Sequence, residues 1–192
     1  ILISSNSNNV LTDLISSGVY DLRERHVIAT SSPAMDILKS SNIERILFDM
    51  FGSARTNELM LQLDREKHYA LSEDELAQLQ SVFCADYASD EEVRNYVREA
   101  FGQGYLMDPH TATCFKAHET CRDKPLKSIV YSTAEWTKFS PTIANALTGE
   151  VDTHDIDALK SISEVAQTPI SPLIRELFDK PVVQDSVIDK QN

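Results

Sequence analysis

Short apolar runs alternate along the chain with longer stretches whose apolar residues recur at helical spacing. The runs that predict buried strands are residues 1–3, 27–29, 105–107 and 128–131, and the last is the strongest. Buried strands that alternate with helices are typical of a mostly parallel sheet with helices packed on both faces. The pattern therefore predicts an α/β fold with three layers.

Residues that favour helix ends indicate where these helices start and stop. Serine or aspartate caps, prolines at first helical positions and two S-x-x-E capping boxes predict helix starts. These starts lie near Ser7 or Asn8, Pro33, Ser72, Ser89, Asp108, Pro141 and Pro172. Glycine favours the position after a helix, and the candidates are Gly18, Gly52, Gly102 and Gly149. The helix that starts at Pro33 is expected to end at Gly52.

The middle of the chain differs from its flanks. Residues 53–102 are charged, rich in helix signals and without a convincing strand. This change predicts that 1–52 and 103–150 form one α/β unit, that 53–102 are a helical insertion, and that 151–192 are a helical C-terminal tail.

Composition excludes two classes of partner. The net charge of −12 argues against nucleic-acid binding, because such proteins need clustered lysine and arginine to neutralise phosphates. The longest apolar runs span only a few residues, whereas a membrane helix needs about 20. The sequence therefore predicts neither a nucleic-acid partner nor a membrane-spanning segment.

The cysteines and histidines give no pattern of a metal or disulfide framework. Cys84, Cys114 and Cys121 are odd in number and lack C-x-x-C spacing, which favours reduced thiols and a cytoplasmic location. His110 and His118 lie eight residues apart without a further ligand at a suitable spacing. No metal is predicted.

Three polar segments follow predicted strands, where ligands bind in open α/β sheets. They are residues 30–33, 108–111 and 132–138. The first offers hydroxyls and free backbone N–H groups at a helix start, which suit an anion. A simpler interpretation is that Ser32 caps the helix.

The other two segments also allow two interpretations each. Asp108 and His110 have side chains suited to acid–base chemistry, but Asp108 can equally cap the next helix while His110 packs or faces solvent. Ser132, Thr133 and Lys138 offer polar groups to a ligand, or they form an ordinary strand-to-helix loop.

In order along the chain, these segments resemble the threonine synthase family. The most specific match joins S-P-A-M-D-I-L at 32–38 to S-S-N-I-E-R-I-L at 40–47, close to the family pattern S-P-S-M-D-I-x-x-S-S-N-F-E-R-L-L. Residues 108–112 match D-P-H-T-A, and 126–139 resemble a strand and loop that end in S-T-A-H-P-A-K-F. Residues 6–11 resemble an N-E-N-D-I-L stretch.

The resemblance implies part of a type II pyridoxal-phosphate fold and an enzyme that converts O-phospho-L-homoserine and water to L-threonine and phosphate. In related enzymes a hydroxyl after the last sheet strand binds the pyridine nitrogen of pyridoxal 5'-phosphate. The positions that the resemblance implies for the cofactor are Thr133, Ser132, Asp108 and Pro109. Those that it implies for the substrate are Ser41, Asn42, Arg45 and Lys138.

This sequence departs from the family in two places. Glu135, Trp136 and Thr137 replace the usual His-Pro-Ala, so no role of that histidine carries over. The family's cofactor-binding lysine and glycine-rich phosphate loop match nothing here and are expected upstream of residue 1. The chain is therefore expected to be a C-terminal portion without a catalytic residue of its own, inactive alone, with its N-terminal remainder as a partner.

Two alternatives remain open. Another type II pyridoxal-phosphate lyase, such as a serine or threonine dehydratase, would lack the S-P-x-M-D-I and S-S-N-x-E-R pair. A non-catalytic α/β interaction or regulatory domain derived from such an enzyme would need no lysine. An upstream lysine motif with a glycine-rich loop would favour the enzyme.

Overall fold

The computed structural model describes residues 1–123 and 125–187. Within them lie four strands, eight α-helices and two 3₁₀ turns. In chain order they are β1 (Leu2–Ser5), α1 (Val10–Ser17), β2 (Val19–Asp21), a 3₁₀ turn (Pro33–Met35), α2 (Ile43–Glu66), β3 (His68–Ala70), α3 (Glu73–Val82), β4 (Cys84–Tyr87), α4 (Asp90–Gly102), α5 (Pro109–Cys121), a 3₁₀ turn (Trp136–Phe139), α6 (Ser140–Thr148), α7 (Asp155–Ala166) and α8 (Pro172–Asp179).

The strands form two pairs. β1 and β4 are parallel, with Leu2 opposite Cys84, and α5 packs against both. β2 and β3 are antiparallel, and the opposed rings of Tyr20 and Tyr69 stack with centroids 5.1 Å apart. Parallel strands covered by helices confirm the predicted α/β class.

Two apolar cores lie on either side of the parallel pair. The first joins α1, α2, α3 and the antiparallel strands, and its fully buried members include Leu14, Leu47 and Leu59. The second joins α4 to α7, around Val97, Ile143 and similar residues. Amphipathic helices that bury their apolar stripes explain both cores.

Most predicted helix ends are confirmed. Ser72 and Ser89 form the two capping boxes, and Asp108 caps α5. Gly18 and Gly149 end α1 and α6 with φ of 78° and 80°, a conformation that glycine adopts without strain. The cap of α1 is instead Asn9, one or two residues later than predicted.

Three of the predicted strands are wrong. Residues 27–29, 105–107 and 128–131 pair with no strand in the described part of the chain. Val27 is 55% exposed and Ile129 is 81% exposed. Apolar β-formers favour a strand only where another strand satisfies their backbone groups, and residues 1–123 and 125–187 supply no such partner to these segments.

The predictions for the first long helix and the middle segment also need correction. Pro33 starts only a 3₁₀ turn, and the long helix begins at Ile43. Gly52, with φ of 78° and ψ of 172°, is not helical and divides α2 into two helical segments, so it ends the first of them as expected. Residues 53–102 contain β3 and β4, so the expectation that they lack strands is wrong. The division of the chain into domains stays a prediction, and residues 188–192 of the predicted tail lie outside the described residues.

The expectation of three reduced thiols is wrong for two of them. Cys84 and Cys121 form a disulfide whose Cα atoms are 5.8 Å apart, while Cys114 is free. β4 and α5 bring these residues together although 37 positions separate them in sequence. Spacing along the chain did not reveal the pair because the contact is tertiary.

Over residues 1–123 and 125–187, no helix has the length and apolar composition needed to cross a bilayer. The same residues contain no group of three or more His, Cys, Asp or Glu side chains placed to hold a metal ion.

Glu92 is expected to make stability depend on pH. The Lys116 ammonium, 2.8 Å away, and the Ser89 amide lower the pKa of Glu92 from 4.5 to about 2. The folded state therefore gains stability from ionised Glu92 above about pH 4.5, and loses it as pH falls toward 2. We expect Glu92→Gln to lower the free energy of unfolding at neutral pH by about 0.5–1 kcal/mol, since the carboxylate is partly exposed.

Urea unfolding at neutral pH and near pH 3 measures this effect. The difference between Glu92→Gln and the unmodified chain should shrink at the lower pH. Glu91→Gln, on the same first turn of α4, is the control. An equal difference at both pH values would contradict the assignment.

Candidate functional site

A polar cluster lies at the carboxyl ends of the parallel strands. Asn6 directly follows β1, and Asp90 follows β4 after two residues. Ser31 joins the segment 28–36 to this edge, since its N–H and hydroxyl both donate to Asp90 Oδ1, at 3.0 and 2.8 Å. Ligands of open α/β folds bind at this edge of the sheet, which makes the cluster the candidate site.

Two asparagines hold the segment 28–36 in place. Asn6 Nδ2 donates to Thr30 Oγ1 and to Asp36 Oδ1, both at 2.8 Å, and its Oδ1 accepts the Asn8 N–H at 2.9 Å. Asn8 exchanges two hydrogen bonds with the Ile28 backbone. Asp36 also accepts the N–H and the hydroxyl of Thr30, at 2.9 and 2.6 Å. The turn that carries Ser32 and Pro33 is therefore fixed at both of its ends.

Asp108 is a buried carboxylate of the cluster, and both of its oxygens accept hydrogen bonds. It is 1% exposed, and its Oδ1 accepts the N–H groups of His110 and Thr111 at 2.9 and 3.2 Å. Its Oδ2 accepts the Thr111 hydroxyl. Burial alone would raise the pKa of Asp108, but hydrogen bonds from His110 and Thr111 together outweigh it and lower the pKa. Asp108 is thus held as an anion within the fold.

Thr111 connects this cap to the loop that follows residue 131. Its Oγ1, which donates to Asp108, accepts the Thr133 N–H at 3.4 Å and lies 3.4 Å from Ser132 Oγ. Ser132 Oγ donates to the Ala134 carbonyl at 3.1 Å. The two hydroxyl residues predicted to contact the cofactor therefore lie beside Asp108 and Pro109, although no strand precedes them.

His110 joins the second polar segment to Ala34, the residue that directly follows the first segment. Its ring is 6% exposed and lies 4.2 Å, between centroids, from the Phe139 ring. Nε2 is 3.1 Å from the Ala34 amide nitrogen, and Nδ1 is 3.2 Å from Asp108 Oδ1. All three polar segments predicted from sequence thus meet in one cluster.

Among the described residues, those predicted to bind substrate form no side-chain hydrogen bond with this cluster. Ser41, Asn42, Arg45 and Lys138 are all exposed. Asn42 is the residue before α2, and Lys138 Nζ lies 5.3 Å from the Phe139 ring centroid. Across the described residues, no side-chain hydrogen bond or ion pair joins Arg45 or Lys138 to the buried polar groups.

A small cavity opens beside the cluster. Its volume is about 140 Å³, and Asn6, Asn8, Ala34, Met35 and Ser40 are among its lining residues. This volume is below the roughly 300 Å³ typical of small-molecule pockets. This cavity alone is therefore too small to enclose a ligand of that size.

The sequence analysis did not identify four side chains whose hydrogen bonds hold the candidate site together. Asn6, Asn8 and Asp36 hold the 28–36 segment, and Thr111 links Asp108 to Thr133. All four stand in segments that resemble the family, so motif membership was a usable signal. Their hydrogen-bond partners could not be identified from the sequence, because most of these bonds join residues 20 or more positions apart.

No protein-family model matches the chain. The chain is 42% identical to "Threonine synthase-like 1" of Macaca fascicularis over 150 residues, which is 76% of this chain and 20% of that protein. A solved structure of threonine synthase from yeast covers 93% of this chain with TM-score 0.78 and 26% identity. A pyridoxal-phosphate-bound threonine synthase from Brucella melitensis covers 86%, with TM-score 0.73 and 30% identity. The chain spans 37% and 35% of those two solved chains.

Proposed function

Because the chain belongs to a threonine synthase-related family with the type II pyridoxal-phosphate fold, we propose that it forms part of the active site of a lyase. The reaction we propose converts O-phospho-L-homoserine and water to L-threonine and phosphate with pyridoxal 5'-phosphate. The observation that carries the proposal is the meeting of 30–36, 108–111 and 132–133, three separate motif segments, in one hydrogen-bonded cluster.

The loop at Thr133 suits the pyridine ring of the cofactor. The Thr133 side chain is exposed, and its hydroxyl forms no hydrogen bond with the described residues, whereas its amide is held by Thr111. A free hydroxyl on a fixed backbone can accept or donate at a ring nitrogen. Ser132, Asp108 and Pro109 would line the same side of the ring. When bound, the cofactor supplies an electron sink for charge that develops on the substrate carbons.

The start of α2 suits the phosphate of the substrate. Ser41 and Asn42 directly precede the helix, where backbone N–H groups and the helix dipole favour an anion. Arg45 lies on the first turn and, among the described residues, forms no ion pair with a carboxylate. Lys138 supplies a second exposed cation in the proposal. Together these groups would bind and orient the phosphate before it leaves.

The same proposal places the cofactor-binding lysine outside residues 1–192. No lysine of the polar segments takes part in the hydrogen bonds that join them. The chain by itself would then hold the ring and orient the substrate without turning it over. A cytoplasmic location is part of this proposal.

Thr133→Val in the complete protein tests the proposed contact with the cofactor. Losing one hydrogen bond to the ring nitrogen is expected to lower kcat about tenfold, which corresponds to about 1.4 kcal/mol. The measurement is phosphate release from O-phosphohomoserine. Thr137→Val is the matched control, because it removes a nearby hydroxyl that, among the described residues, donates only to Glu135.

The outcomes separate the proposed roles. Equal loss in both variants, or none in Thr133→Val, would remove Thr133 from the cofactor site. Ammonia release from serine or threonine without phosphate release from O-phosphohomoserine would favour the dehydratase interpretation. Absence of both reactions would favour the non-catalytic domain.

A further inference from the structure

His110 has both ring nitrogens engaged inside the fold. The Ala34 N–H lies 3.1 Å from Nε2, and an amide N–H can only donate, so Nε2 must accept. On the other side, Nδ1 lies 3.2 Å from the Asp108 carboxylate, which as an anion can only accept. Nδ1 must therefore carry the proton. The two contacts together define one neutral tautomer of the imidazole.

This arrangement argues against acid–base chemistry by His110. A general acid or base must reach the proton that it transfers, either directly or through one water. The ring is 6% exposed, and the Phe139 ring covers it with centroids 4.2 Å apart. Neither nitrogen is left free for a substrate. A structural function that depends on the hydrogen-bonding pattern of the ring is the alternative.

The partners of His110 belong to different parts of the candidate site. Ala34 lies in the turn 32–36, which Asn6 holds against the carboxyl end of β1. Asp108 accepts from Thr111, and Thr111 Oγ1 accepts the Thr133 N–H. A continuous series of hydrogen bonds thus runs from the Ala34 amide to the Thr133 amide.

We propose that His110 is a positioning residue, held in its Nδ1-protonated neutral tautomer between Ala34 and Asp108, which fixes the turn 32–36 relative to the loop at Ser132 and Thr133. The catalytic consequence rests on the proposed function, because Thr133 is the residue proposed to contact the cofactor. The tautomer and the connection between the two segments do not depend on it.

The ring nitrogens of His110 give the first test, which needs no variant. In ¹⁵N NMR spectra of the chain at mildly alkaline pH, the two nitrogens of a fixed tautomer have separate shifts, one protonated and one bare. We expect Nδ1 to be protonated and Nε2 to be bare. A proton on Nε2, or fast averaging between the two forms, would overturn the proposal.

Three substitutions of His110 separate its two hydrogen bonds. His110→Gln keeps an acceptor near the Ala34 amide, His110→Asn keeps a donor near Asp108, and His110→Phe keeps only the packing. We expect hydrogen exchange at the Ala34 amide to rise about tenfold in His110→Asn and His110→Phe, and less in His110→Gln. The Thr133 amide resonance should shift in His110→Gln and His110→Phe. Phe139→Leu, which removes the aromatic ring beside His110 but neither hydrogen bond of His110, is the control.

Kinetics in the complete protein measures the consequence for catalysis. His110→Phe is expected to lower kcat about tenfold while KM for O-phosphohomoserine changes less than about twofold. The reason is that a misplaced contact between Thr133 and the cofactor ring acts mainly in the transition state. Gln and Asn should each restore part of kcat. Unchanged kcat in all three variants, or an unshifted Thr133 amide, would overturn the positioning function. If the unmodified protein does not release phosphate from O-phosphohomoserine, the proposed function fails. The NMR results still test the tautomer of His110 and the connection that it makes between the two segments.

Discussion

Breaking the Cys84–Cys121 disulfide is expected to lower the free energy of unfolding of the oxidised chain by about 4 kcal/mol. The bond closes a loop across 37 positions, and a loop of that length removes much of the freedom of the unfolded chain. It joins the start of β4 to the end of α5, so it also fastens the parallel strands to the helix that carries Asp108 at its start. Urea unfolding of Cys84→Ser and Cys121→Ser, each under oxidising conditions, measures the loss.

Reductant and the third cysteine provide the controls. A thiol reductant should destabilise the unmodified chain but neither of the two variants. Cys114→Ser keeps the disulfide. Among the described residues the Cys114 thiol has one hydrogen-bond partner, the Ser4 hydroxyl at 3.3 Å, so we expect a change below about 1 kcal/mol. Titration of three free thiols in the folded oxidised chain, together with no effect of reductant, would contradict the bond.

Helix ends were predictable because the groups that determine them lie within a few residues of one another. Ser89 and Glu92 satisfy each other's backbone groups across three residues, and Asp108 does the same for α5. Gly149 adopts the left-handed conformation that its position requires. Each of these interactions forms between residues that are close in sequence, so its prediction does not depend on the tertiary structure.

Strands were less predictable because a strand depends on a partner from elsewhere in the chain. β4 has the sequence C-A-D-Y, which carries few β-formers, yet it pairs with β1 in parallel register. Residues 128–131 have a far stronger strand composition and remain unpaired among the described residues, with Tyr131 81% exposed. Composition indicates which segments tolerate extended backbone, whereas the arrangement of neighbours determines which segments pair.

The candidate site was predictable as a set of segments but not as a network. Asp108 and Thr133 were identified from motifs, and the structure brings them together through Thr111. The simpler interpretation of Asp108 as a helix cap is confirmed, whereas its contact with the cofactor stays a prediction. What the sequence could not show is that His110 would link Asp108 to the amide of Ala34, which lies 76 residues before His110. The substrate assignments of Arg45 and Lys138 stay predictions.

Asp108→Ala is expected to lower the free energy of unfolding by about 3 kcal/mol and to disorder the candidate site. The change removes the cap of α5 and leaves the buried N–H groups of His110 and Thr111 without an acceptor. It also releases the Thr111 hydroxyl, and with it the Thr133 amide. Urea unfolding gives the stability, and the Ala34 and Thr133 amide resonances report whether the two segments separate.

Asp108→Asn is the matched control, because it keeps the shape and one acceptor oxygen but not the charge. Since the folded-state pKa of Asp108 is lowered, its ionised form stabilises the fold above the ordinary carboxyl pKa, and that contribution is lost as pH falls through the folded value. The difference between Asp108→Asn and the unmodified chain should therefore be largest near neutral pH and shrink in acid, while Asp108→Ala remains destabilised throughout. A loss in Asp108→Ala no larger than about 0.5 kcal/mol would mean that water or another group replaces the carboxylate, and that the link from Ala34 to Thr133 does not depend on Asp108.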